Sequence, residues 1–228
     1  MANTSCNNQV IIKGIIVDGF EVRDEAYGTF YVGKVAVSRL SGESDIILVN
    51  FPGFMIESKG VGDEIAVLGQ FRSRNVIIEG KSRLELMVYA LSELNPASVN
   101  DKSTNVVMLS GFVCKPPITR TTPFGREIAD ILIAVNRGHK KSDYLPMIAW
   151  STNARIAGSL VVGDEVSIIG RLQSRKYNKK LDNGEIETRT AYEVSVTKLI
   201  TTEGNLNSNR LRDYFQRVLE NVSVKYVL

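Results

Sequence analysis

Histidine and cysteine are nearly absent from this chain, and their scarcity excludes several classes of protein. The 228 residues contain one histidine, His139, and two cysteines, Cys6 and Cys114. A single histidine excludes a multi-histidine metal site, and two cysteines without ligand spacing form neither a zinc site nor a disulfide framework. We therefore expect reduced thiols, no metal and no other cofactor.

Long apolar runs are also missing. The best ones, 11–17 and 128–135, contain charged residues and have the length of strands, well short of the ~20 residues of a membrane span. The amino terminus, MANTSCNNQ, has neither the basic start nor the apolar core of a signal peptide. These absences predict a cytoplasmic protein without membrane contact.

Catalytic motifs are equally scarce. The sequence contains no Walker loop, no paired metal-binding carboxylate motif and no plausible Cys–His pair. Asp63-Glu64 and Asp164-Glu165 recur, but each pair follows a glycine and is typical of a turn. We predict that the protein is not an enzyme.

The chain contains one internal repeat. The segment VGDEIAVLGQFRSR, from Val61, aligns with VGDEVSIIGRLQSR, from Val162, at an offset of 101 residues. Upstream, 35–39 aligns with 133–137 at an offset of 98. A period near 100 residues indicates two related domains rather than a solenoid.

The two domains differ in charge. We place the first at 8–95, the second at 105–200 and a tail at 201–228. Residues 1–104 contain 10 Lys/Arg and 13 Asp/Glu, net −3, whereas residues 105–200 contain 14 and 9, net +5. A polyanion would therefore bind the second domain in preference to the first.

Within each domain the hydrophobic period is near two, as in 192–197, which predicts strands. One helix-like stretch, 151–160, lies between strands, and Asp182-Asn183-Gly184 predicts a hairpin turn. About five strands with a short helix between the third and fourth is the layout of an OB-fold barrel. A β-sandwich of similar size is the alternative topology.

The tail has a different pattern. Its large apolar residues recur at i, i+3, i+4, i+7 and i+8, which predicts a helix over 208–221 with one apolar stripe. The stripe consists of Leu211, Tyr214, Phe215, Val218 and Leu219. We expect it to dock on protein, because an exposed stripe of this size usually marks a contact. The expected fold is all-β, two tandem OB-fold barrels plus a short C-terminal helix.

Several segments of the second domain resemble the bacterial single-stranded DNA-binding protein family, in the right order and spacing. They are Phe124-Gly125, 131–137, 144–150, 162–164 and 169–177, followed by the strand that begins at Tyr192. The first domain is similar but carries fewer of the motifs. The chain therefore resembles family members with two OB domains in one chain. Since members with one domain usually assemble four, the resemblance implies a homodimer.

The resemblance also implies a set of DNA-binding residues in the second domain. Family members stack bases on aromatic rings at positions that correspond here to His139, Tyr144, Trp150 and Tyr177. Basic residues interleave with these rings, on segments that we expect to be loops: Arg137, Lys140, Lys141, Lys176, Lys179 and Lys180. Arg171 and Arg175 share one face of a predicted strand.

The first domain has a weaker set. We align Phe51 with Trp150, whereas Asp45 and Val76 stand where Tyr144 and Tyr177 would be. Its basic candidates are Arg39, Arg72 and Arg74. We therefore expect the second domain to bind DNA more strongly than the first.

The expected function is sequence-independent binding of single-stranded DNA in replication, recombination or repair, at the nucleoid. Aromatic stacking and Lys/Arg contacts to phosphates would supply the affinity. Replication or repair proteins are further candidate partners. The alternative is an OB-fold interaction module or primosome-like assembly factor with weak nucleic-acid binding, and single-stranded RNA is a third, minor candidate ligand.

Overall fold

The computed structural model describes residues 7–25, 28–78, 80–100, 104–138, 140–180, 184–201 and 217. The strands of the first repeat are β1 (Asn8–Ile16), β2 (Glu21–Glu25), β3 (Gly28–Ser38), β4 (Ser44–Pro52), β5 (Glu64–Ile78) and β6 (Lys81–Leu94). Those of the second are β7 (Asn105–Val113), β8 (Ile118–Thr121), β9 (Glu127–Arg137), β10 (Lys141–Trp150), β11 (Glu165–Lys180) and β12 (Ile186–Thr201). A helix, α1 (Thr152–Gly158), joins β10 to β11, and short 3-10 helices span Gly53–Met55 and Pro96–Ser98.

Each repeat closes into a five-stranded barrel. In the first, hydrogen bonding runs β1-β3-β4-β6-β5 and returns to β1, with β4 and β6 parallel. The second repeats this ring as β7-β9-β10-β12-β11, with β10 and β12 parallel. This is the strand order of an OB-fold. The all-β expectation is confirmed, and a short sixth strand, β2 or β8, extends each barrel beside β3 or β9.

The barrel interiors follow directly from the period-two pattern. On β9, Ile131, Ile133 and Val135 are buried while their neighbours are less so, because successive strand residues point to opposite faces. The same alternation on the other strands fills both barrels with β-branched and aliphatic residues.

The repeated Val-Gly-Asp segments form the expected turns into β5 and β11. Gly62 and Gly163 have φ values of 97° and 99°, which favour glycine. The Asp63 carboxylate accepts a hydrogen bond from the backbone N–H of Gly60, and Asp164 does the same from Val161, each at 2.8 Å. These aspartates are turn residues, as predicted.

The two barrels share one continuous sheet, because β1 pairs antiparallel with β7. Val10 lies directly opposite Val107, and Asn8 and Ile12 lie opposite Leu109 and Asn105. Since β1 and β7 are repeat copies, each of these strands meets its own counterpart about a pseudo-twofold axis. The arrangement is that of a symmetric dimer within one chain.

The predicted tail helix over 208–221 lies outside the described residues, apart from Arg217, which has helical conformation. The part of the chain that the structure describes contains no helix long and apolar enough to cross a membrane.

Candidate nucleic-acid interface

The strand ladders define which residues of the two barrels are equivalent. Asp45 on β4 and Asp143 on β10 take the same place opposite the aligned strands β3 and β9. The sequence-based alignment of Asp45 with Tyr144 is therefore wrong by one residue, and Ile46 is the counterpart of Tyr144. Ile46 is aliphatic and partly buried, so the first barrel presents no aromatic ring at this position.

The same slip overturns the prediction for Phe51. The ladder makes Pro52, and not Phe51, the counterpart of Trp150, because they face Phe30 and Ile128 at equivalent points. A shift of one residue moves a side chain to the opposite face of the sheet. Phe51 accordingly lies in the core with 0% of its surface exposed and cannot stack on a base.

Three of the four predicted stacking residues of the second barrel lie at the surface or near it. Tyr144 on β10 is 47% exposed and Tyr177 on β11 is 36% exposed. Trp150, at the end of β10, is half-buried. The guanidinium of Arg175 lies over the Tyr177 ring, 5.9 Å from its centroid. His139 lies outside the described residues.

The basic segment after Arg175 is a strand ribbon rather than the expected loop. β11 continues to Lys180, and its ladder with β12 is unbroken from Gly170 to Lys180. Lys176, Lys179 and Lys180 are all exposed. Because side chains alternate along a strand, Lys179 shares the face of Arg175 and Tyr177, whereas Lys176 and Lys180 project from the other face. Lys140 and Lys141, where β9 turns into β10, are exposed as well.

A buried carboxylate of the first barrel accepts hydrogen bonds from the second barrel. Asp45 is 0% exposed and accepts hydrogen bonds from Arg39 at 2.7 Å and from Arg171 at 2.9 Å. It also accepts from the backbone N–H of Ser174 at 2.8 Å, while the Ser174 hydroxyl accepts from the N–H of Ile46 at 2.9 Å. The hydrogen bond to Asp45 is the main factor that raises the pKa of Arg39.

A buried carboxylate of the second barrel forms the equivalent contact with the first barrel. Asp143, 1% exposed, accepts from the backbone N–H of Ser73 at 2.9 Å and from Arg137 at 3.3 Å. The Ser73 hydroxyl accepts from the N–H of Tyr144 at 2.7 Å. Burial lowers the pKa of the Arg72 guanidinium, and the charge of Asp143 partly offsets this effect.

Four of the predicted phosphate-binding arginines therefore lie at the contact between the two barrels, around Asp45 and Asp143. Arg39 and Arg171 neutralise Asp45, and Arg137 and Arg72 face Asp143. The sequence could not show this arrangement, because each aspartate also meets a group of the opposite repeat: Arg171 and the Ser174 N–H at Asp45, and the Ser73 N–H at Asp143. Arg74, a fifth candidate, pairs with Glu85 at 2.5 Å.

An open groove crosses the outer face of the second barrel. It has a volume of about 360 Å³, and its lining includes the apolar residues Leu132, Pro146 and Met147 together with Arg175. Its remaining lining residues are Lys115, Pro116, Ile118, Arg120, Asp130, Ile131 and Glu193. The groove is thus lined by both apolar and charged side chains, a combination that suits a base and its phosphate.

Sequence reasoning missed Arg120. It lies on β8 and donates to Asp130 at 3.0 Å, and this hydrogen bond raises the pKa of Arg120. Its one sequence signal is a basic residue within the polar segment TRT after a proline pair. In the described part of the chain, no group of three histidine, cysteine or acidic residues is placed to hold a metal ion.

Comparison with known proteins shows which family the second barrel resembles. Residues 104–202 match the model of the single-strand binding protein family. Single-stranded DNA-binding protein A of Bacillus subtilis is 34% identical over 83 residues, which are 33% of this chain and 48% of that protein. The single-stranded DNA-binding protein of Halalkalibacterium halodurans is 33% identical over 88 residues, or 36% of this chain and 50% of that protein. The chain thus spans about half the length of these relatives.

Solved structures extend the likeness of fold to most of the chain. A deletion mutant of the single-stranded DNA binding protein from Thermus aquaticus superposes with a TM-score of 0.64 at 23% identity. The match covers 88% of this chain and 97% of that one. The predicted resemblance to the bacterial family is confirmed.

Proposed function

We propose that this chain, whose residues 104–202 match the model of the single-strand binding protein family, binds single-stranded DNA without sequence preference through its second barrel. The observation that carries the proposal is the outer face of that barrel, where Arg175 and Pro146 line the groove and the exposed rings of Tyr177 and Tyr144 lie two residues away on the same strands, β11 and β10. Stacking tolerates any base, because every base has a flat π face. The named relatives bind single-stranded DNA, which agrees with this proposal.

The proposed mechanism divides the work between two kinds of side chain. The rings of Tyr144, Tyr177 and the half-buried Trp150 stack on bases. Arg175 and Lys179 contact phosphates from the same face of the ribbon. The lysines at the β9–β10 turn and on the opposite face of the ribbon add to the field that attracts the strand. His139 remains a predicted stacking residue.

The direct test is a titration of the full chain with oligo-dT, followed through Trp150 fluorescence at several salt concentrations. We expect saturable quenching whose affinity falls steeply with salt. A mixed-sequence single strand should bind comparably, and a duplex of equal length more weakly. Binding that is absent, or equal for the duplex, would favour the assembly-factor alternative, and tighter binding of oligo-rU would favour an RNA ligand.

We also propose a homodimer, which would bring four barrels together. Ile15 on β1 and Phe112 on β7 are counterparts, and each is 40% exposed on the outer face of the shared sheet. Exposed apolar residues that are related by the approximate twofold axis, one towards each end of the β1–β7 pair, suit an isologous contact. Sedimentation should give twice the chain mass at micromolar concentration, and a monomer would contradict the proposal. Action at the nucleoid in replication, recombination or repair is the cellular role that fits this function.

A further inference from the structure

An ion-pair cluster lies on the outer face of the first barrel. Nη1 of Arg23 on β2 donates to both carboxylate oxygens of Glu85 on β6, each at 3.0 Å. Nε of Arg74 on β5 donates to the same carboxylate at 2.5 Å. Arg23 also pairs with Glu21 at 2.8 Å. One carboxylate thus joins two arginines from different strands, and we call Arg23, Arg74 and Glu85 the clasp.

The second barrel has counterparts of both arginines of the clasp but no carboxylate at the place of Glu85, and its Arg120 pairs with Asp130 instead. Arg74 lies opposite Glu85 on the β5–β6 ladder, and at the same place on the β11–β12 ladder Arg175 lies opposite Ala191. A methyl group therefore stands where the first barrel has a carboxylate.

The other arginine has a counterpart as well. Arg23 faces Phe30 across β2 and β3, and Arg120 faces Ile128 at the equivalent point of β8 and β9. Arg120 and Arg175 line the open groove of about 360 Å³. The clasp occupies the corresponding place in the first barrel.

We infer that the first barrel carries a second phosphate-binding site for single-stranded nucleic acid, and that Glu85 occupies it as an internal substitute for a phosphate. The inference rests on the proposed function of the second barrel. The carboxylate presents paired, negatively charged oxygens to two guanidinium groups, and a backbone phosphate would present the same chemistry. Arg23 and Arg74 are the residues that would hold the phosphate.

The position and exposure of the clasp fit an exchangeable contact. The Arg23, Arg74 and Glu85 side chains keep 20%, 31% and 19% of their surface exposed. All three side chains therefore reach solvent, from which a phosphate can approach the two guanidinium groups.

The clasp also lies beside the second barrel. Burial raises the pKa of Tyr192 on β12, and the Glu85 carboxylate raises it further. A salt bridge of 3.5 Å joins Arg83 on β6 to Glu187 on β12. A strand bound along the second barrel would therefore reach the clasp without a long gap.

The test compares Glu85→Ala with Glu57→Ala in the full chain, by anisotropy of labelled oligo-dT over a range of salt and oligonucleotide lengths. Glu57 is an exposed acid of the same barrel, so its removal changes the net charge equally. Glu85→Ala should bind roughly three- to tenfold more tightly at low salt than Glu57→Ala. Its log K against log salt should steepen by roughly 0.7 for each arginine that takes up a phosphate. The occluded length should also increase.

The reciprocal variant, Ala191→Glu, gives the second barrel its own carboxylate between Arg120 and Arg175. It should weaken binding and flatten the salt slope. Glu85→Gln, which keeps the side-chain size, replaces Glu85→Ala should the latter fail to fold by circular dichroism. Equal affinity, slope and occluded length for the Glu85 and Glu57 variants would overturn the inference. Failure of the unsubstituted chain to bind would instead refute the proposed function, and the comparison of Glu85 with Glu57 variants would still decide whether the clasp masks a site.

Discussion

Single side chains decide how the two barrels differ in their expected affinity. The second barrel has Tyr144 and Tyr177 at positions where the first has Ile46 and Val76. An aliphatic side chain at these points cannot offer a flat π face to a base. The difference in aromatic residues therefore adds to the difference in net charge.

The first prediction concerns Tyr177. Tyr177→Ala should reduce the free energy of single-stranded DNA binding by about 1–3 kcal/mol, because one base no longer has a ring to stack on. The salt slope should stay nearly unchanged, since every phosphate keeps its cation. Tyr177→Phe keeps the ring and should bind almost normally. Val76→Ala, at the equivalent place in the first barrel, is the matched control, and an equal reduction in both alanine variants would contradict the role of Tyr177.

Among the strands, the β11–β12 ribbon is the main extension of the second barrel. Its ladder orders Lys176 to Lys180 as alternating strand residues, and Thr188 donates a hydrogen bond to Asn178 at 3.0 Å across it. A ribbon with alternating side chains presents two chemically different faces. The face of Tyr177 also carries Arg175 and Lys179, so the basic side chains are not equivalent.

The second prediction follows from this alternation. Lys179→Ala should flatten log K against log salt by roughly 0.7, the value for a single strand when the protein neutralises one phosphate fewer. Lys180→Ala removes the same charge from the opposite face and should have a smaller effect. In the double variant, the slope of log K against log salt should fall by no more than the sum of the two single reductions. Salt titrations of the three variants provide the measurement, and an unchanged slope in the double variant would exclude the ribbon as a phosphate-binding element.

The two barrels together have the contacts of a twofold dimer. Asp45 and Asp143 are equivalent, and each accepts a hydrogen bond from a backbone N–H on the other barrel, Ser174 or Ser73. Each serine hydroxyl accepts a hydrogen bond in return. Together with the β1–β7 pairing, these contacts join the two barrels, and separating the barrels would expose both carboxylates.

The third prediction measures this joint. Asp45→Ala should lower the free energy of unfolding by about 3 kcal/mol, because it leaves Arg39, Arg171 and the Ser174 N–H without their buried acceptor. Glu43→Ala is the control. Its carboxylate is exposed and meets Arg39 at 3.4 Å, so its removal should cost at most about 1 kcal/mol. Urea denaturation followed by circular dichroism compares the two, and equal stabilities would show that Asp45 does not hold the barrels together.

Local patterns in the chain are enough to establish the two barrels, their turns and the unequal charge of the two halves. Strand periodicity, the repeated Val-Gly-Asp segments and the repeat offset can each be read without knowledge of the fold, because they depend only on the order of residues along the chain. The match of residues 104–202 to a known family is of the same kind.

Which cations are available to a ligand depends instead on tertiary contacts. Arg171 meets Asp45 across 126 residues of the chain, and Arg23 meets Glu85 across 62. The sequence did not determine the register of β4 against β3 either. Shifting β4 by one residue keeps its apolar pattern approximately, but it decides whether Phe51 lies on the outer face or, as the structure has it, in the core. Charge and aromatic content are properties of residues, whereas pairing and burial depend on how the strands are brought together.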